Sequence, residues 1–316
     1  MPIVNDRSLS SRIWRGLLLG LTVLALGYHV LGGWLLSSDI IDDVFAPPEA
    51  LESLGIDASA QERAPSSVGL EVDDVTYESP LGTMDAWATD GSRSEWIIHV
   101  HGAGTTRSQA LDAMAFLDDA GYHQLAIAYR NDPGQPMDPS GQYRYGVTEY
   151  EDLAGAVEYA VGQGADEIVL FGYGSGASIA QAYANRQPLG SVDAMVFDSA
   201  NLDLGATVTS WADDRSLFGF APPVTVVETA KFFTSLRADV NWENFDYLDR
   251  ADSLSMPVLL LHGSDDQVVP LASSVALTEL RPDLVRIVIT EGAGHVGSLE
   301  TDPGSYEQAV IDFLAN

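Results

Sequence analysis

The sequence contains no cysteine and a single lysine, Lys231. Without cysteine there is no disulfide, no thiolate nucleophile and no cysteine-ligated metal. Positive charge is scarce altogether: 15 Lys and Arg stand against 46 Asp and Glu, a formal net charge of −31. Such a field repels polyanions, so nucleic acid and anionic lipid headgroups are poor partners. Two origins fit the imbalance, adaptation to high salt and an acidic, lysine-poor proteome, and the residues do not separate them. No metal-ligand spacing, phosphate loop or internal repeat is visible, and no cofactor is implied. What remains is 316 residues, 46% of them hydrophobic, enough for a substantial core.

Charge of either sign is missing from Gly16–Ser38. A helix over those 23 residues is about 34 Å long at ~1.5 Å per residue, enough to cross a bilayer. Arg7, Arg12 and Arg15 precede it, Asp39, Asp42 and Asp43 follow, and Trp14 and Trp34 sit near its ends. The basic flank stays in the cytoplasm and aromatic residues favour the interfaces. The expectation is a cytoplasmic segment 1–15, a signal anchor over 16–38, a linker over 39–69 and an extracytoplasmic domain over 70–316. A cleaved signal peptide is the alternative, but the run is long and no A-x-A site follows it. His29 lies mid-span and is assigned no role.

Beyond the linker, Val72–Ser79 and Thr83–Thr89 alternate around Pro80-Leu81-Gly82 and read as a hairpin. Apolar runs at Glu95–Val100, Gln124–Tyr129, Glu167–Phe171, Asp193–Phe197, Pro257–Leu261 and Val285–Thr290 read as strands. Helical spacing falls between them at Arg107–Ala120, Thr148–Val161, Ala177 onward, Leu271–Leu280 and Ser305–Leu314. Strands alternating with helices predict an α/β fold, a mostly parallel sheet with helices on both faces. Asn201–Asp249 is a longer excursion, expected as a small cap insertion. Its aromatics Trp211, Phe218, Phe220, Phe232, Phe233 and Trp242 either line an apolar pocket or pack the cap onto the core, the second being the plainer reading. Arg130, Glu149 and Asp152 either touch a ligand or, more ordinarily, cap helices and pair at strand ends.

The chemistry centres on Gly172-Tyr173-Gly174-Ser175-Gly176, between an apolar run and a small-residue helix. Strand, sharp turn and helix carry the pattern G-x-S-x-G, but the residue midway between the outer glycines is Gly174. In the other register Ser175 is the tip, and the flanking small positions fall on Tyr173 and Ala177. Tyr173 fits that place poorly, so Gly174 is read as the nucleophile position, with no side chain, and Ser175 as the fallback nucleophile. Gly172-x-Gly174-x-x-Ala177, with Asp198 closing the next apolar run, also fits a dinucleotide fingerprint. That fingerprint belongs in the first βα turn of its domain, whereas several strands precede this one.

Three further motifs carry the reading: His101-Gly102-Ala103 after the third strand, the stretch PVLLLHGSDDQVVP over Pro257–Pro270, and GAGHVGS around His295. With the glycine turn they resemble, in kind and order, the α/β-hydrolase fold family over about residues 70–316. The similarity is greatest to bacterial esterases, lipases and prolyl-oligopeptidase-like hydrolases, including membrane-anchored ones. The resemblance implies that Asp266, three residues before Val269-Pro270, is the catalytic acid, with Asp265 pointing away. His295 is the general base; the other five histidines lie in strands, in His-Gly turns or in the apolar span. The oxyanion hole takes backbone N–H groups of Ser175 and Ala103. The family's class is ester or amide hydrolase, acting on a small ester, amide or peptide. With glycine at the tip this chain is expected to be weak or inactive. The alternatives are a non-catalytic membrane-anchored binder or scaffold using the old pocket and, behind it, a dinucleotide-binding protein.

Overall fold

A computed structural model describes residues 6–45, 62–186, 192–213 and 215–315. Most of the expected linker, residues 46–61, lies outside the described residues, as do residues 1–5 of the expected cytoplasmic segment. The chain divides into two compact units: Met1–Asp43 with Ala212–Val240, and Val44–Trp211 with Asn241–Asn316.

The larger unit is built on eight strands: β1 Asp73–Ser79, β2 Gly82–Thr89, β3 Glu95–Val100, β4 His123–Ile127, β5 Glu167–Tyr173, β6 Ala194–Asp198, β7 Val258–Gly263 and β8 Val285–Thr290. They form one sheet in the order β1-β2-β4-β3-β5-β6-β7-β8. β2 runs antiparallel to β1 and β4, and every other pairing is parallel. In chain order the helices are α1 Asp6–Asp43, α2 Leu111–Asp119, α3 Tyr150–Gly162, α4 Ser175–Arg186, α5 Leu204–Asp213, α6 Val224–Ala238, α7 Leu271–Leu280, α8 Ser298–Thr301 and α9 Pro303–Leu314.

The central strands are apolar throughout because both faces are covered. Trp96, Ile98, Ile168 and Leu170 point to one face, where Leu153, Val157, Ala177, Ile179 and Leu277 of α3, α4 and α7 meet them. Ile97, Val169, Phe171 and Tyr173 point to the other, beneath Leu111, Met114 and Leu117 of α2 and Tyr306 and Val310 of α9. Observed boundaries differ from the expected ones by a few residues. The clearest differences are α4, which starts at Ser175 and not Ala177, and Arg107–Ala110, which is a 3-10 turn ahead of α2.

The smaller unit pairs α1 with α6. α1 continues past the charge-free run as far as Asp43, and it is long and apolar enough from Arg12 onward to be a candidate membrane span. Glycine lets the two helices touch: a Cβ on Gly33 would lie 2.6 Å from a Thr229 methyl, and one on Gly32 2.7 Å from Leu217. The excursion's aromatics separate accordingly. Phe218 packs on Tyr28 and Phe233 on Trp34. Trp242 packs on Phe45 in the larger unit. Phe220 and Phe232 stay exposed, which neither a shared pocket nor simple packing onto a core provides for.

Gly155 of α3 offers a test of the packing. Helix propensity favours alanine over glycine by about 1 kcal/mol. Here an added Cβ would fall 1.9 Å from the Glu78 carbonyl oxygen of β1, and backbone cannot swing aside. Overpacking costs about 1–3 kcal/mol or more, so Gly155→Ala should lower the melting temperature. An unchanged or raised value in a thermal melt would contradict this docking of α3.

Candidate active site

Every expected site residue lies at the C-terminal ends of the parallel strands, where open α/β sheets place their ligand crevices. His101-Gly102-Ala103 follows β3, Gly174 and Ser175 follow β5, Asp266 follows β7 and His295 follows β8.

The turn after β5 is set by what cannot fit behind it. A Cβ on Gly172 would lie 2.6 Å from the Ala177 backbone, and one on Gly176 2.0 Å from the Val100 carbonyl oxygen. Any side chain at either place would separate α4 from the sheet. Between them Gly174 has φ +53°, a left-handed conformation that glycine adopts without penalty. Its N–H donates to the Asp198 carbonyl (2.9 Å) and its carbonyl accepts from the Asn201 N–H (3.1 Å). A Cβ built on Gly174 meets only His295, 3.1 Å from Nε2 and 3.4 Å from Cε1.

His295 is held from behind. Its Nδ1 lies 2.9 Å from Asp266 Oδ2, which fixes the tautomer that leaves Nε2 as the basic nitrogen. Asp266 Oδ1 accepts from the Val268 and Val269 N–H groups at 2.8 and 2.9 Å. Burial works to raise the Asp266 pKa, but hydrogen bonds from His262, His295 and the Val269 backbone outweigh it and hold the carboxyl well below the ordinary range. The next-door Asp265 is exposed. Ser199, itself at φ +53°, accepts the Val296 N–H on Oγ at 2.9 Å and so ties the His295 loop to the end of β6.

Sequence reasoning set His262 aside as part of a His-Gly turn. It is buried, with Nε2 3.3 Å from Asp266 Oδ2 and Nδ1 2.8 Å from Ser274 Oγ. The signal was its place four residues before the acid, across a tight strand-to-loop turn. Asp198, the acid of the dinucleotide reading, is buried with its Oδ2 accepting from the Tyr306 hydroxyl at 3.0 Å. Arg130, Glu149 and Asp152 play structural parts. Arg130 is buried in ion pairs with Asp152, Asp138 and Glu151, and Glu149 accepts the Arg144 and Gly146 N–H groups.

Ser175 opens α4, where backbone N–H groups lack intrahelical acceptors. Its hydroxyl points away from the base and accepts the Ala103 N–H at 2.7 Å. The neighbouring Gly102 N–H is bound to the Gln109 side chain at 2.8 Å. Thus the two backbone donors expected to form an oxyanion hole come from segments in direct contact, with a side-chain oxygen already on one of them.

Residues 97–309 match the model of the Alpha/beta hydrolase family, about two thirds of the chain. The chain belongs to that family. Over 224 residues it is 26% identical to YqkD, an uncharacterized protein of Bacillus subtilis, covering 70% of this chain and 71% of that one. A 63-residue stretch, 20% of each chain, is 32% identical to alpha/beta hydrolase domain-containing protein 17C of Xenopus tropicalis. Among solved structures, an esterase of Pyrococcus furiosus superposes with a TM-score of 0.65 at 20% identity, over 80% of this chain and 94% of that one. The esterase RhEst1 of a Rhodococcus species gives 0.54 at 18% identity, over 77% of this chain and 98% of that one. At such identities these structures speak for the fold alone.

The buried Asp198 gives the site a measurable signature. Burial pushes its carboxyl up to about 6 from the ordinary 3.8, against the Tyr306 hydrogen bond and the nearby His295 and His262. A carboxyl raised on folding stabilises the fold at low pH and loses that contribution as pH rises through the folded value. A shift of about two units corresponds to roughly 3 kcal/mol. Asp266, shifted the other way, contributes above the ordinary carboxylate range and is lost only at lower pH. Between about pH 4 and pH 6.5, Asp198→Asn should therefore flatten the fall in unfolding free energy seen in the wild type. Equal slopes for the two proteins in denaturant titrations would contradict the assignment.

Proposed function

We propose that this protein is a membrane-anchored member of the ester and amide hydrolase class that has kept the base and lost the nucleophile. The observation that carries the reading is the 3.1 Å between His295 Nε2 and the place where a Gly174 side chain would begin. A serine there would sit against a base already oriented by Asp266; glycine offers no atom to acylate. The acyl-enzyme route is closed, and hydrolysis is slow and direct. A water proton passes to His295 Nε2 while the water oxygen bonds to the substrate carbonyl carbon. The Ser175 and Ala103 N–H groups receive the developing oxyanion. The intermediate then expels its leaving group, which takes the proton back from Nε2. Substrates are small esters, amides or peptides, as the family's chemistry suggests.

A second reading, a binder without turnover, draws on one observation. Ser175 Oγ already occupies the Ala103 donor, so a substrate oxygen must displace it before the hole is complete. In either reading α1 is a signal anchor with its arginine-rich end in the cytoplasm and the part beyond the linker on the outer side of the membrane, as the charge bias around the apolar run supports.

Two experiments test this. Wild-type protein should turn over activated esters slowly and should not react with a fluorophosphonate probe. Gly174→Ser should create labelling and raise ester turnover by about 10² or more, given a base already in reach. The His295 ring must yield by a few tenths of an ångström to admit the new Cβ, and His295→Ala in that background should abolish the gain. Wild-type labelling at Ser175, lost in Ser175→Ala, would overturn the reading, and a folded Gly174→Ser protein without gain would favour the binder. For topology, Gln308→Cys should react with a membrane-impermeant maleimide on cells with any outer envelope permeabilised, and Ser8→Cys should not. The chain has no native cysteine to interfere, and the reverse pattern would refute the orientation.

A further inference from the structure

The excursion Ala212–Val240 follows α1 down and back. At its start Arg215 pairs with Asp43 at 2.7 Å, at the C-terminal end of α1. Two residues later Leu217 reaches Gly32, and Phe218 packs on Tyr28 with ring centroids 5.9 Å apart. There the chain reverses. α6 then climbs in parallel with α1: Thr225 beside His29, Thr229 beside Gly33, Phe233 beside Trp34, and Arg237 beside Ser37 and Ser38.

Trp34 marks the outer interface expected for the span. Tyr28 is six residues deeper along α1, which at ~1.5 Å per residue is about 9 Å. A reversal at Tyr28 therefore lies inside a hydrocarbon layer of about 30 Å. The side chains there suit that depth. Phe218 and Phe220 are 56% and 76% exposed, and Val224 is 60% exposed. They continue the apolar surface of α1, where Leu21, Val23, Leu24 and Leu26 are equally uncovered. The charged residues of α6 lie higher: Glu228 pairs with Lys231 next to the Gly33 level, and Arg237 stacks over the Trp34 ring at 4.4 Å.

The turn pairs part of its own backbone. Lipid offers no hydrogen bonds, so peptide groups at this depth must be satisfied within the protein. Leu217 and Phe220 exchange both of theirs, N–H to carbonyl at 2.8 and 3.2 Å. The two residues between them, Phe218 and Gly219, both have positive φ, +54° and +88°, as a tight two-residue hairpin turn requires. Phenylalanine is uncommon in that region, and the turn places its ring at the tip. Pro222 and Pro223 follow and carry no N–H to satisfy. Even the polar side chains are paired. His29 Nδ1 lies 2.8 Å from the Ala25 carbonyl and Nε2 2.8 Å from Thr225 Oγ1.

We propose that Leu217–Val224 and the exposed face of α6 form a wedge that dips into the outer leaflet beside α1, its occupant being lipid hydrocarbon. The proposal rests on the reading of α1 as a membrane anchor. It gives His29 a part: it fastens the deep end of the wedge to the anchor through Thr225.

The test uses the full-length protein in phosphatidylcholine nanodiscs, with a nitrobenzoxadiazole label on a single introduced cysteine and doxyl-labelled lipids as quenchers. Leu21→Cys reports the anchor and Phe220→Cys the wedge; Phe232→Cys is a second wedge position, also exposed, where the substitution removes no core packing. The expected result is loss of emission at all three, with Phe220 quenched by a deeper doxyl than Phe232. Quenching at Leu21 with full emission at Phe220 and Phe232 would overturn the wedge and leave the anchor standing. Full emission at all three would overturn the anchor, and the wedge with it.

Discussion

The backbone of α4 passes so close to the end of β3 that no side chain fits between them. Gly176 lies beneath the Val100 carbonyl and Gly172 against Ala177, and from these two contacts the rest of the site takes its position. They aim the start of α4, with its free-facing N–H groups, at the ends of the strands. They bring the His101–Ala103 loop against Ser175. They also thrust Gly174 out toward the His295 ring. Loosening the contact would shift the base, the donors and the tip relative to one another, and positioning at such sites matters at the scale of an ångström.

The second requirement is a set of acids whose charge is managed one by one. Asp266 is buried yet strongly hydrogen-bonded, so it stays ionised and keeps the imidazole oriented. Asp198 is buried with less support, so it holds its proton to about pH 6. Both lie near His295, and their environments push them in opposite directions. Arg130 gathers three further carboxylates, those of Asp138 and Asp152 buried and that of Glu151 part-exposed. In a chain with this excess of negative charge, this one arginine offsets two acids that would otherwise be buried unpaired.

Much of this was legible in the sequence because it is local. The pattern of apolar residues located all eight strands to within two residues, and Glu95–Val100, Leu271–Leu280 and Val285–Thr290 have the expected ends. The glycine spacing read Gly174 and not Ser175 as the tip; Gly174 has a left-handed φ, and a Cβ on it would meet His295. What escaped depends on contacts between distant residues. The support of Asp266 by His262 arises only when the turn after β7 closes. The pairing of residues 28–38 with 217–237 joins segments almost two hundred positions apart, and no periodicity in either one announces it. The excursion's phenylalanines therefore read as lining a pocket or packing a core, whereas Phe218, Phe220 and Phe232, three of the four in the smaller unit, are exposed.

The Ser175 hydroxyl resting on the Ala103 N–H acts as a built-in competitor. Any incoming oxygen trades one hydrogen bond for another, so a neutral carbonyl gains little from that donor beyond what the hydroxyl gives up. An oxygen bearing formal charge gains more, since charge-assisted hydrogen bonds are about twice as strong as neutral ones. The exchange thus grades visitors by charge.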